Sequence, residues 1–313
     1  MLQAVAPVFL VVFAGWIMRR LTWLTEEADA SLLRMTINLL MPCLIVDSLL
    51  GSKALGDARN VWIPPLVGFG TVTLGLLAAM TVQRLIPARH AATRRTFVYS
   101  VALYNYGYVP LPLALSLFDR ETAAVLFVHN IGVELALWLF GLTLLAGRRL
   151  REGWTRVFNP PVLAILAALV LNAAIRREQV PAVVLGSVHW LGQCAIPMGL
   201  ILIGAVLKDH ARDFASRQGG RVMLWACVLR LGLLPVLFLA LARALPVSIE
   251  LKRVILLQAA MPAAVFPILM ARQYGGDATT AVRVVVATTV GGLVTIPLWL
   301  RLGMAWLGIS GGS

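Results

Sequence analysis

Side chains able to do chemistry are scarce in this chain of 313 residues, and one acid, Glu134, stands out because apolar runs flank it on both sides. Asn130 precedes it by four residues and so shares its face on a helix. A carboxylate beside an amide can hold a proton or a sodium ion, which makes Asn130 and Glu134 a candidate coupling or support site. Arg230 lies equally deep in another apolar run. It has three readings: a partner for Glu134, a structural cation, or a group that tunes an anion site. His129 is five residues from Glu134, about 140° round a helix, so the two do not form a metal pair. His90, His189 and His210 fall elsewhere, and Cys43, Cys194 and Cys227 have no pairing pattern or CxxC spacing. There is no paired-carboxylate, Ser/His/Asp or His-cluster arrangement, so neither an enzyme nor a bound metal or cofactor is expected. Asp47, after Pro42, is a lesser candidate.

Two stretches are poor in ionisable groups and rich in helix breakers. One runs Tyr104-Asn105-Tyr106-Gly107-Tyr108-Val109-Pro110-Leu111-Pro112. The other runs Gln258-Ala259-Ala260-Met261-Pro262-Ala263-Ala264-Val265-Phe266-Pro267. Proline removes a backbone donor and clashes with the preceding turn, so both helices should break. If the two breaks meet, half-helix N-termini aim free N–H groups and partial positive charge at one point, which suits an anion. Candidate binding groups are Asn105, Gln258 and the backbone near Gly107, Pro110, Pro112, Pro262 and Pro267. Tyr106, Tyr108, Met261 and Phe266 are candidate walls.

The elements that must position these residues are membrane spans. Hydrophobic residues make up 60% of the chain, charged residues 13%, and the mean hydropathy is +0.86, a composition that rules out a water-soluble globule. The net charge of +13 sits mostly in short connections, where it reads as a topology signal and a contact to lipid headgroups, not a nucleic-acid surface. Crossing roughly 30 Å of hydrocarbon takes about 20 residues. Ten segments qualify, at about 2–18, 31–50, 61–86, 96–118, 123–146, 160–176, 181–207, 221–245, 252–271 and 281–307. Of the 27 Lys and Arg, fifteen fall on one side and nine on the other. The richer side is expected in the cytoplasm, with both termini outside a multi-pass plasma (inner) membrane protein. The nine tryptophans, Trp16, Trp23, Trp62, Trp138, Trp190 and Trp299 among them, are expected mostly at membrane interfaces.

Pro42 and Pro197 differ by 155 positions, and so do Pro112 and Pro267. The spacing predicts an internal repeat, residues 1–147 and 159–313, with five spans in each half. An odd number inverts the second copy. The expected fold is therefore an all-α integral membrane protein of ten spans, an inverted 5+5 repeat with broken, crossing spans four and nine.

At these residues the chain resembles the auxin efflux carrier family. The run Gln258 to Tyr274 is similar to the family's ninth-span pattern, and Asn105, Gly107, Tyr108 and Pro112 resemble its Asn-x-Gly-aromatic-x-Gly-x-Pro motif. Asn159-Pro160-Pro161 and Arg230 with Pro235 also fit. Pro110 departs from the motif, standing where the family has glycine and removing a backbone donor. The resemblance implies a fold shared with sodium–bile acid symporters and a secondary transporter of small organic anions. It also implies a scaffold of spans 1, 2, 6 and 7 that often dimerises, and a transport domain of spans 3–5 and 8–10 that moves as an elevator. The substrate carboxylate would sit at the crossing near Asn105, and the expected function is export or exchange of an anion such as a carboxylate. The alternative is a sodium- or proton-coupled antiporter or symporter using Glu134. Expected partners are an organic anion, the bilayer, a proton or sodium ion, and a second copy of the chain.

Overall fold

The structure, a computed structural model, describes residues 1–86, 90–146, 156–211 and 219–310. Arg89, Arg148, Arg149, Arg151, Arg212 and Arg217, which contribute to the charge bias, lie outside the described residues, as does residue 147 at the first repeat boundary. Among the described residues the regular structure is helical, without strands. Seven helices are long and apolar enough to cross a membrane: α1 (Leu2–Arg20), α2 (Glu26–Leu49), α3 (Arg59–Leu85), α6 (Arg120–Ala146), α8 (Ala182–Asp209), α9 (Gly220–Ala244) and α12 (Ala278–Leu307). A shorter apolar helix, α7, covers Pro160–Ala174. The fourth and ninth expected spans are each divided, into α4 (Ala91–Ala102) with α5 (Pro110–Leu117), and α10 (Ile249–Ala260) with α11 (Phe266–Gln273).

Proline follows two of the three π-helical turns among the described residues and stands at both divisions. A proline inside a helix has no N–H to give and crowds the carbonyl four residues back, so the preceding turn widens. Such π-helical turns occur at Thr36–Leu40, ahead of Pro42, and at Val228–Leu233, ahead of Pro235. Arg230 sits inside the second. In the divided spans two prolines combine with extended residues and the helix stops altogether. Pro110 and Pro112 take the first and third positions of α5, whereas Pro267 takes the second position of α11. The expected equivalence of Pro112 and Pro267 is therefore off by one helical position, because the first break is seven residues long (103–109) and the second five (261–265).

Close backbone approach holds the long helices together. A Cβ on Gly15 or Gly204 would collide with the backbone of the facing helix across the α1–α8 contact, and Gly68 and Gly132 are placed the same way across α3 and α6. Small residues at such contacts allow dense packing where lipid offers no hydrophobic drive. Trp23, Trp62 and Trp190 are largely exposed, as expected of interfacial rings. Trp138 instead packs edge-on against Phe266, their ring centroids 5.6 Å apart.

The starts of α6 and α12 are capped alike. Asp119 accepts from the Thr122 N–H at 2.7 Å and Asp277 from the Thr280 N–H at 3.1 Å. Each cap also reaches the start of a divided span: Asp119 meets Arg253 of α10 at 2.7 Å, and Asp277 meets Thr93 of α4 at 2.8 Å. Burial works to raise both carboxyls. For Asp119 the bonds from Thr122 and the Arg253 charge outweigh it, and for Asp277 those from Thr93 and Thr280 with the Arg283 charge, leaving both below the ordinary aspartate range.

This packing and capping can be tested by substitution. Gly132→Ala should destabilise the detergent-solubilised protein by about 1–3 kcal/mol in thermal denaturation, through overpacking. Gly70→Ala, on α3 where nothing lies within 4 Å, should be neutral or slightly stabilising. Because the folded carboxyls of Asp119 and Asp277 are depressed, their contribution is present at neutral pH and is lost as pH falls through those depressed values, below about 4. An Asp119→Asn, Asp277→Asn double variant should start less stable at pH 7 and lose less on acidification.

Candidate functional site

The two breaks meet. Leaving α4, the chain runs extended at Leu103 to Asn105, and leaving α10 it runs extended at Met261 to Ala264. The segments pair antiparallel through Tyr104 and Ala263. The Asn105 N–H donates to the Pro262 carbonyl at 2.8 Å, and the Ala264 N–H donates to the Leu103 carbonyl at 2.9 Å. Each break thus satisfies backbone groups the other leaves open. Side chains add to this: the Ala263 N–H donates to Thr288 Oγ1 at 3.1 Å, and the Tyr104 hydroxyl lies 2.7 Å from Thr71 Oγ1.

The two half-helix N-termini differ. At α5, Pro110 and Pro112 carry no N–H, Leu111 donates back to Gly107 at 3.1 Å, and Val109 is capped by Asn105 Oδ1 at 3.4 Å. The expectation of free donors at this helix end is corrected: prolines and the Asn105 cap use them up. At α11, Ile268 donates to Val265 at 3.0 Å, while the N–H groups of Val265 and Phe266 have no acceptor among the described residues. Neither do those of Tyr106, Gly107 and Tyr108 inside the first break.

Several expected side chains gather here. Asn130 Nδ2 donates to the Tyr106 carbonyl at 2.8 Å, and Gln258 Nε2 reaches the same oxygen at 3.4 Å. Gln258 Oε1, fully buried, has no partner among the described residues. The Tyr106 hydroxyl donates to Glu134 Oε1 at 2.7 Å, and Asn159 Nδ2 donates to Glu134 Oε2 at 2.9 Å. Asn105, Met261, Pro262 and Pro267 are buried, whereas Tyr106, Gly107, Tyr108 and Phe266 are half-buried. Met41 of α2 is the nearest group facing Gly107, at 3.9 Å from its Cβ position, and the Tyr108 ring lies against Gly199 of α8.

One of the three readings of Arg230, the pair with Glu134, is not formed. Arg230 does not reach Glu134: its Nε donates to the Met261 carbonyl at 3.0 Å and its Nη2 to those of Gln258 and Ala259 at 3.0 and 3.3 Å. The widened turn ahead of Pro235 places it against the end of α10. Asp47 stands apart from the crossing, accepting from Arg177 at 2.8 Å, His189 at 2.9 Å and Arg120 at 3.3 Å. Reading the sequence missed Asn159 as Glu134's partner, Thr71 and Thr288 as closers of the breaks, and Met41 and Gly199 as facing groups. Asn159 carries a visible signal, since Asn before Pro-Pro is a helix cap, and its side chain accepts from the Val162 N–H at 3.0 Å. The others are contacts between distant segments, for which spacing offers no sign.

Comparison with known proteins identifies the family. The family model described as membrane transport protein matches residues 1–154 and 149–300. The chain belongs to that family. An uncharacterized transporter of Methanothermobacter thermautotrophicus is 26% identical over 306 residues, covering 95% of this chain and 96% of that protein. An uncharacterized transporter of Methanocaldococcus jannaschii is 22% identical over 308 residues, covering 95% and 97%. This member of the family is a multi-pass membrane transport protein, and membrane transporters are not a class of enzyme.

Tyr106→Phe keeps the ring and deletes the donor to Glu134. The transporter should lose about 1–2 kcal/mol of thermal stability in detergent. Tyr108→Phe, whose hydroxyl has no hydrogen bond among the described residues, should change stability little.

Proposed function

We propose that this transporter exports or exchanges a small organic anion such as a carboxylate, held at the crossing of its two broken spans. The observation that carries the reading is the reciprocal backbone pairing of Asn105 with Pro262 and Ala264 with Leu103, beside unpartnered N–H groups at the start of α11. Those donors and the half-helix dipole favour a carboxylate. Asn105 positions the site by capping Val109, and Asn130 and Gln258 hold the Tyr106 carbonyl turned away from the anion. Tyr106, Tyr108 and Phe266 wall it.

The ten-span inverted repeat is part of the same proposal. It is supported by α4 and α10 at twelve residues each, α5 and α11 at eight each, and by the like caps of α6 and α12. Spans 1, 2, 6 and 7 then form the scaffold, with its exposed face a dimer surface, and spans 3–5 and 8–10 the moving domain. Under that division Gly199 of the scaffold gives the Tyr108 ring a side-chain-free surface to slide on, and Arg120–Asp47 is a contact between scaffold and moving part. The basic side faces the cytoplasm and both termini lie outside the plasma membrane.

A second reading, ion exchange through Glu134, is favoured by one observation: its two partners, Tyr106 and Asn159, are neutral, so its charge is available to a proton, to sodium or to a cationic group. Proteoliposome flux separates the two. Efflux of radiolabelled mono- and dicarboxylates should exceed that of empty liposomes and drop at least tenfold in Asn105→Ala. Wild-type flux in that variant would remove Asn105 from its central role. Sodium–proton exchange with no organic substrate, lost in Glu134→Gln, would replace the anion reading.

A further inference from the structure

We infer that Arg230 is the fixed positive charge that makes the crossing selective for anions, acting from behind it through the backbone and not by pairing with Glu134. The inference deepens the anion reading above and rests on it. Arg230 is fully buried in the turn that Pro235 widens, with no carboxylate partner among the described residues. Its Nη1 has no acceptor among the described residues either. The guanidinium lies against the edge-to-face pair of Tyr104 and Phe238, 5.2 and 5.1 Å from their ring centroids. Its other donors go to the Gln258 and Ala259 carbonyls at the end of α10 and to that of Met261 just past it, a helix end that carries only about half a negative charge. A net positive charge therefore remains in a region of low dielectric.

A charge is not needed to close such a break. The Leu103 carbonyl, which leaves α4 as the Met261 carbonyl leaves α10, is taken by a neutral group, the Ala264 N–H at 2.9 Å. An ionised side chain buried at this depth without a counter-ion is costly, and closing the end of α10 does not explain its presence. Its position explains what it does. Successive side chains of an extended segment point to opposite sides. Tyr104 faces Arg230, so Asn105 faces away from it, and the charge lies one backbone thickness behind the face that carries Asn105. The same separation excludes a direct contact, so Arg230 sets the potential of the site while the α11 donors make the bonds.

The test needs no substrate. In a chain with Cys43, Cys194 and Cys227 replaced by alanine, Gly107→Cys provides a reporter. A Cβ there meets only Met41, at 3.9 Å, and the position is half-buried. In nanodiscs of neutral lipid, its reaction rate with an anionic methanethiosulfonate (sulfonatoethyl) is divided by that with a cationic one (trimethylammonioethyl). Each rate is first normalised to a free thiol. The ratio cancels the thiolate fraction and reports the local potential. It should exceed one in the Arg230 chain, fall at least tenfold in Arg230→Gln, and stay within about threefold of the parent in Arg230→Lys. An unchanged ratio in a folded Arg230→Gln protein, or the same fall in Arg230→Lys, would show a purely structural cap and overturn the inference. So would a reporter that reacts with neither reagent. Should Arg230→Gln not fold, the parent ratio decides, and a value at or below one overturns it. Absent carboxylate flux with an intact ratio would instead count against the transport reading alone.

Discussion

A peptide group in hydrocarbon must find a hydrogen-bond partner, and wherever a spanning helix is interrupted that partner must come from another part of the chain. In this transporter two bonds, Asn105 to Pro262 and Ala264 to Leu103, tie the breaks together, each supplying part of what the other lacks. The rest of the molecule follows from keeping those segments in register. The caps Asp119 and Asp277 fix the start of one divided span each, α6 and α3 pack through facing glycines beside the crossing, and Thr71 and Thr288 take the polar groups that the pairing leaves over.

The two breaks use similar parts to unequal effect. The first is longer, its N–H groups at 106–108 lie within the loop, and its half-helix begins with two prolines that donate nothing. The second is short, and its unpartnered donors sit at the helix start. Electrostatic character is divided in the same way. A lone arginine stands behind the second break, and a lone carboxylate, bridged by Tyr106 and Asn159, stands beside the first. The crossing thus has a guanidinium on one side and a carboxyl on the other, although the backbone bonds that join the breaks are reciprocal.

Much of this was legible in the residues themselves. The apolar stretches appear as helices within a few residues of their expected places, because length and hydropathy govern span position and little competes with them. Both breaks were readable from Pro110, Pro112, Pro262 and Pro267, since proline acts locally. What the sequence hid was pairing at a distance. The Glu134–Arg230 pairing looked reasonable because both are lone ionisable groups at depth, but which way a helix faces is decided by packing. The turn before Pro235 directs Arg230 at carbonyls instead. The α5 donors failed for a subtler reason: whether a helix start is free depends on what the preceding loop returns to it, and here Asn105 and Gly107 return their oxygens.

The reciprocal pairing also bears on how the chain is made. Residues 103–105 are synthesised long before 262–264, so during that interval the first break has no peptide partner and its polar groups must be met by water or by the insertion machinery. The part of the chain made by then is a waiting structure, held open at one place. Arrival of the second proline-bearing segment supplies the missing partners, and an error in either segment leaves both breaks without them.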